Sequence, residues 1–259
     1  MLIDTHCHLH DREFFGAEQA EEMLKRAAEN GVRKIVCIGT SHEDSMAAAE
    51  FAGRHTGAYW TYGIHPENAE GKVGSVLSSA GFEQNPTLPI GIGEVGLDYH
   101  YEGYDREAQI RLLEEMLQLA TEHDLPVSFH VREAFADFFP VVENFPKVRG
   151  VVHSFTDSKK VLRRILETTE FYIGVNGLAT YSTLPTPPLS RILLETDAPF
   201  LTPVPFRGII NESSYIRTIA EWLSAKLATD FETIERETTK NAEKLFKFDG
   251  ALLPKGERI

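Results

Sequence analysis

The stretch LPIGIGEVGLD, residues 88–98, is an apolar run broken in its middle by one carboxylate, Glu94, and it leads into the strongest amphipathic segment of the chain. In that segment Ile110, Leu113, Leu117 and Ala120 recur at the 3.6-residue period of a helix with one apolar face. An apolar strand followed by such a helix is the unit of a parallel sheet covered by helices. The unit repeats outward in both directions. Before it stand LIDTH (2–6) with a helical stretch around 18–30, KIVCIG (34–39) with a helix from Ser41 to His55, and AYWTYGI (58–64) with a helix expected in the 70s. After it stand PVSFHV (126–131) with a helix to about Phe145, VRGVVHSF (148–155) with a helix to about Thr169, FYIGVNG (171–177) and RILLETD (191–197). Eight strands in about 250 residues predict an α/β fold closed as a (β/α)8 TIM barrel rather than an open doubly wound sheet.

One connection breaks the pattern. Between strands 7 and 8, LATYSTLPTPPLS carries Pro185, Pro187 and Pro188, which exclude a regular helix and predict a shortened, irregular segment. Beyond strand 8, Glu212 to Ala228 reads as a helix, and Asp230 is placed to cap another through ETIERETTKNAEKLF. With no linker or internal repeat, residues 1–259 read as a single barrel domain.

Composition narrows the possible partners. With 26 Lys and Arg against 39 Asp and Glu, the net charge is −13, so no bulk basic surface attracts nucleic acid or an anionic membrane, and any phosphate must be held locally. Only Cys7 and Cys37 are present, which argues against a disulfide scaffold. No apolar run reaches the roughly 18 to 20 residues of a membrane span, and MLIDTHCHLHD does not read as a signal peptide. A cytoplasmic protein without membrane association is expected.

Function in a barrel gathers where the strands end. The first strand ends in Asp4-Thr5-His6-Cys7-His8, where alternation puts His6 and His8 on one face and turns Cys7 away. The fourth carries Glu94, the fifth ends at His130, the sixth at His153 and the eighth at Asp197. Four imidazoles and two carboxylates aimed at one volume would carry a heavy desolvation cost without a cation. Six donors exceed what one tetrahedral ion takes from protein, so two divalent ions about 3.5 to 4 Å apart are the simpler fit, with Glu94 as the bridging candidate. Oxygen donors suit Mg2+ or Mn2+, and the imidazoles also suit Zn2+. His65, Arg132 and Arg207 stand after strands 3, 5 and 8 as candidates to hold a substrate phosphate. Asp4 and Asp98 are candidates to support the ligands from behind.

The chain resembles the TatD family of metal-dependent deoxyribonucleases, in the amidohydrolase superfamily. The matching stretches are DTHCHL (4–9), GIHP (63–66), GEVGLDY (93–99), PVSFHVREAFADF (126–138), VVHSF (151–155), ETDAPFLTPVPFRG (195–208) and NAEKLF (241–246). The resemblance implies one ion held by His6, His8, Glu94 and Asp197 and a second by Glu94, His130 and His153. It further implies magnesium-activated hydrolysis of DNA phosphodiesters, exonucleolytic from the 3′ end and favouring single strands, with Asp197 and Glu94 as the catalytic carboxylates. Two departures bear on substrate range: the Pro-rich connection before strand 8, and NESSY (211–215) where the family has NEP. The rival readings are a binuclear hydrolase acting on a lactone, phosphotriester or other small ester, and a non-catalytic nucleic-acid-binding protein. Many of the small-ester enzymes bridge their metals with a carbamylated lysine, and the strand of Glu94 has no lysine. A binding module would need a basic or aromatic platform that the sequence does not display. Monomer and homodimer both remain open.

Overall fold

The apolar runs become eight strands, each parallel to the next and in chain order around one sheet. They are β1 (Leu2–Cys7), β2 (Val32–Ile38), β3 (Ala58–Tyr62), β4 (Gly91–Asp98), β5 (Val127–Arg132), β6 (Gly150–Val152), β7 (Tyr172–Val175) and β8 (Ile192–Leu194). The computed structural model describes residues 1–69 and 88–248, so the helix expected in the 70s lies outside the described residues. The sheet closes between its first and last strands. Cys7 and Ala198 form a parallel bridge, Thr5 Oγ1 donates to Leu194 O at 2.9 Å, and Asp197 N donates to His6 O at 2.9 Å.

The helices are α1 (Ala17–Glu29), α2 (His42–Arg54), α3 (Arg106–Glu122), α4 (Phe135–Glu143), α5 (Lys159–Thr168), α6 (Ile216–Leu227) and α7 (Phe231–Phe246). Four begin at a side chain that accepts an otherwise unpartnered N–H of the first turn: Ser41, Asp105, Ser158 and Asp230. In α3, Leu113, Leu117 and Ala120 are buried as the periodicity requires, and Ile110 packs partly buried at the edge of the same face. Among the described residues no helix is long and apolar enough to cross a membrane. The Pro-rich connection contains only two short 3-10 turns, Gly177–Thr180 and Leu189–Arg191. Helix α7 holds the opposite mouth of the barrel: Asn241 donates to Leu189 O and Ile192 O, and Leu245 and Phe246 pack with Ile3, Val36, Val151 and Leu193.

Three boundaries differ from the sequence reading. The runs at 148–155 and 191–197 yield strands of only three residues, because Ser154 (φ 44°) and Asp197 (φ 59°) leave the extended region. His153 and Asp197 therefore sit on turns just past their strands. The helix expected from Glu212 starts as a 3-10 turn, Ser213–Tyr215, and becomes α-helical at Ile216. The cause is competition from side chains in NESSY. Asn211 Nδ2 donates to Thr196 O at 2.8 Å, Ser213 Oγ donates to Asp4 Oδ2 at 2.6 Å, and Arg26 grips Glu212 with Nε and Nη2 at 2.9 and 2.6 Å.

That last pair ties α1 to the chain beyond β8. Glu212 is buried while Arg26 is partly exposed, so Arg26→Ala should leave a buried carboxylate short of its cation and destabilise the fold by about 2 kcal/mol, less than for a fully buried pair because solvent screens the arginine. Urea unfolding should show a lower midpoint with unchanged slope; an unchanged midpoint would show that the pair contributes no net stability.

Candidate metal centre

The barrel brings His6, His8, Glu94, His130, His153 and Asp197 to one end, with Glu94 at their centre. Its two oxygens face different partners: Oε2 lies 3.4 Å from His6 Nε2, while Oε1 lies 2.8 Å from His130 Nδ1 and 3.8 Å from His153 Nε2. Asp197 Oδ1 lies 3.5, 3.6 and 3.7 Å from the Nε2 atoms of His6, His8 and His153. Asp197 owes this position to a left-handed backbone, which aspartate tolerates better than most residues.

These separations decide what the cluster is suited to hold. Most are too long for hydrogen bonds, whereas two donors each about 2.1 Å from a tetrahedral ion stand about 3.4 Å apart. The far sides of the His6 and His8 rings are hydrogen-bonded, and that of His153 lies close to a carboxylate without hydrogen-bond geometry. His6 Nδ1 meets Ser128 Oγ at 3.3 Å, His8 Nδ1 meets Ile38 O at 3.0 Å, and His153 Nδ1 lies 3.0 Å from Glu195 Oε1. Ile38 O can only accept, so His8 Nδ1 carries the hydrogen, and loss of the other proton leaves the Nε2 lone pair free toward the cluster. His6 Nε2 is buried without a hydrogen-bond partner, an arrangement that costs about 1 to 3 kcal/mol unless a cation answers it. The donor set thus fits divalent ions. His130 differs, because its Nε2 is held by Asp98 Oδ2 at 2.8 Å and its Nδ1 faces Glu94.

Protons on the histidines offset part of the cluster's negative charge when ions are absent. Burial disfavours a charged histidine, yet Glu195, Asp197 and Glu94 outweigh it and raise His153 to about 10. Asp98 and Glu94 likewise overcome burial and raise His130 to about 9. Burial opposes ionisation of Glu94 too, but His153, His6 and His130 hold it well below the ordinary carboxylate range. Both raised histidines are protonated at neutral pH, so a dication must displace protons, and its apparent affinity should rise with pH. Calorimetric titration in buffers of different ionisation enthalpy should show proton release; a buffer-independent heat would contradict the balance.

The supporting residues divide. His65 lines the cleft with its ring 4.5 Å from that of His130, and it forms a possible ligand trio with Glu94 and His130. Burial lowers His65 to about 4, so its imidazole is neutral near pH 7. Arg132 also lines the cleft. Arg207 does not; its guanidinium stacks 3.7 Å over the Tyr181 ring. Asp98 supports His130 from the end of β4. Asp4 accepts from His6 N at 3.3 Å and from the hydroxyls of Thr196 and Ser213, and the β1 register shifts between Asp4 and Cys7. Cys7 is buried with Sγ 3.5 Å from Val36 O, away from the cluster.

Glu195 is the residue sequence reasoning missed. It is fully buried, accepts from Ser154 N at 2.8 Å, and faces the His153 ring. Room for it comes from Gly174, where a Cβ would stand 2.2 Å from Glu195 Oε2. The available signal was a second carboxylate two positions before Asp197, on the same side of an otherwise apolar strand. Glu195→Gln should lower metal affinity about 10- to 100-fold by loosening His153. Metal titration with circular dichroism checks this, and unchanged affinity would make Glu195 a fold residue only.

An eight-stranded parallel barrel with histidines and carboxylates gathered at its strand ends defines a metal-dependent hydrolase of the amidohydrolase superfamily, built around a binuclear centre. The family model for TatD related DNase matches residues 3–247, and the chain belongs to that family. It is 33% identical over 258 residues to the uncharacterized metal-dependent hydrolase YabD of Bacillus subtilis, covering 96% of this chain and all of that one. It is 32% identical over 244 residues to the 3′-5′ ssDNA/RNA exonuclease TatD of Cronobacter sakazakii, covering 87% and 91%. The crystal structure of YJJV, a TatD homolog from Escherichia coli, superposes with a TM-score of 0.83 at 30% identity, covering 95% and 98%.

Proposed function

We propose that this hydrolase is a deoxyribonuclease that cleaves DNA phosphodiesters, as a 3′-to-5′ exonuclease on single strands. His6, His8, Glu94 and Asp197 would hold one divalent ion, and Glu94, His130 and His153 the other. The observation that carries the reading is the division of Glu94, whose two oxygens face His6 on one side and His130 with His153 on the other. A cleft of about 880 Å³ around this cluster leaves room for more than a small ester, and a relative at 32% identity bears the name of a single-strand exonuclease.

Divalent ions bound there would acidify a coordinated water and neutralise charge on the attacked phosphate and departing oxygen; Mg2+ is the expected activator, with Mn2+ or Zn2+ as substitutes. The protein's own groups do the rest. Asp197, facing three imidazoles and open to the cleft, orients the attacking water and takes its proton. Arg132 grips the phosphate beside the scissile bond, and neutral His65 donates a hydrogen bond to it. An end-labelled single-stranded DNA ladder with Mg2+, run beside paraoxon-like and lactone substrates, tests the reading. Shortening from the 3′ end is expected. Turnover confined to lactones or triesters would favour the small-ester reading, and binding without cleavage a nucleic-acid-binding role.

A further inference from the structure

Exposed aromatic rings stand at two places on the rim of the cleft, and the metal chemistry uses neither. Phe14, on the loop after β1, and Phe200, on the loop after β8, are 45% and 49% exposed, with rings edge to face at 5.4 Å. Tyr101, after β4, is 54% exposed. Arg132, at the end of β5, places its guanidinium 5.3 Å from the Tyr101 ring centre. All four side chains line the same cleft as Glu94 and Asp197. In a closed ring of eight strands the junction of β8 with β1 lies opposite the junction of β4 with β5, so the two aromatic stands face each other across the cluster.

Electrostatics explain why such rings would be needed. The described lining of the cleft carries six carboxylates, Asp11, Asp44, Glu67, Glu94, Asp98 and Asp197, against one arginine. Away from the metal centre that leaves Asp11, Asp44 and Glu67, with Asp44 paired to His10, so phosphates beyond the centre meet little attraction and a bound strand is held largely by its uncharged parts. Every unpaired base offers a π face, and stacking on an aromatic side chain is strong and tolerant of sequence. In a duplex those faces are already stacked on one another.

We propose that Phe14 with Phe200, and Tyr101 across the cleft, are base-stacking platforms on either side of the scissile phosphate, and that they make this chain select unpaired strands. The proposal rests on the nuclease reading and adds to it the source of strand selectivity. The test compares a fluorescein-labelled oligothymidylate with an abasic oligomer of the same length, by anisotropy in Ca2+ and by cleavage in Mg2+. The wild type should bind the base-bearing oligomer about 10- to 100-fold more tightly, and the Phe14→Leu/Phe200→Leu double variant should lose about tenfold of that preference. Phe200→Trp keeps a ring face and should retain it, which separates stacking from misfolding. Equal affinity of the wild type for both oligomers, or an unchanged preference in the double variant, would overturn the platforms and assign the rings to another occupant. Cleavage of both oligomers without base preference removes the platforms and leaves the nuclease reading standing. Base preference without cleavage under any dication supports the platforms while ending the nuclease reading.

Discussion

Replacing Glu94 with Gln should leave a folded barrel that holds its second metal ion weakly and turns over at least about a thousandfold more slowly, a loss of roughly 4 kcal/mol in transition-state stabilisation. The amide matches the carboxylate in shape, so packing at this buried position changes little. Its charge and one of its two acceptor oxygens are lost, and those are what let a single side chain serve His6 on one side and His130 with His153 on the other. Affinity for oligonucleotide need not fall with turnover, because Arg132 and the rim of the cleft remain. Metal titration followed by kcat and KM on one labelled substrate separates the effects. Two tightly bound ions and near-normal turnover in the variant would show that Glu94 does not bridge.

The barrel and most of its centre were legible because both rest on local rules. Apolar runs alternating with amphipathic segments specify parallel strands and covering helices, and a polar side chain at the end of such a run has few explanations. The reading weakened wherever position depended on a distant partner. The fate of NESSY turned on Asp4 and Arg26, roughly two hundred residues earlier, so its helix looked longer than it is. Alternation puts Asp4 and His6 on one face of an unbroken strand; the β1 register shifts between Asp4 and Cys7, and what alternation could not show is that Asp4 also binds Thr196 and Ser213 from the far end of the chain. Arg207 sat in a motif beside the site, but nothing in its neighbourhood announced that Tyr181 would hold its guanidinium. The aromatic rim was invisible for the same reason: Phe14 and Phe200 lie at opposite ends of the chain and meet only when β8 closes on β1.

Chelation should abolish hydrolysis while the barrel stays folded, with the melting temperature lowered by roughly 10 to 20 °C when both ions are lost. The apolar layers that close the core, such as Ile3, Val36, Val151 and Leu193 packed against Leu245 and Phe246, lie at the mouth held by α7, away from the metal centre, and do not depend on it. The cluster itself has a partial substitute for cations, since protons on His130 and His153, raised to about 9 and 10, offset part of the charge of the carboxylates beside them. What is lost is the binding free energy, about 2.7 kcal/mol for each ion present at a hundredfold excess over its dissociation constant. For a chain of this size that corresponds to roughly 5 to 10 °C per ion. The proton substitute also has a pH limit: it fails as pH rises through the raised histidine values, so the chelated protein should lose stability toward pH 9 to 10. Circular dichroism melts of chelated and reloaded protein at pH 7 and pH 9.5, with activity on the same samples, measure both effects. Loss of secondary structure in step with loss of metal at pH 7 would make the ions structural as well as catalytic.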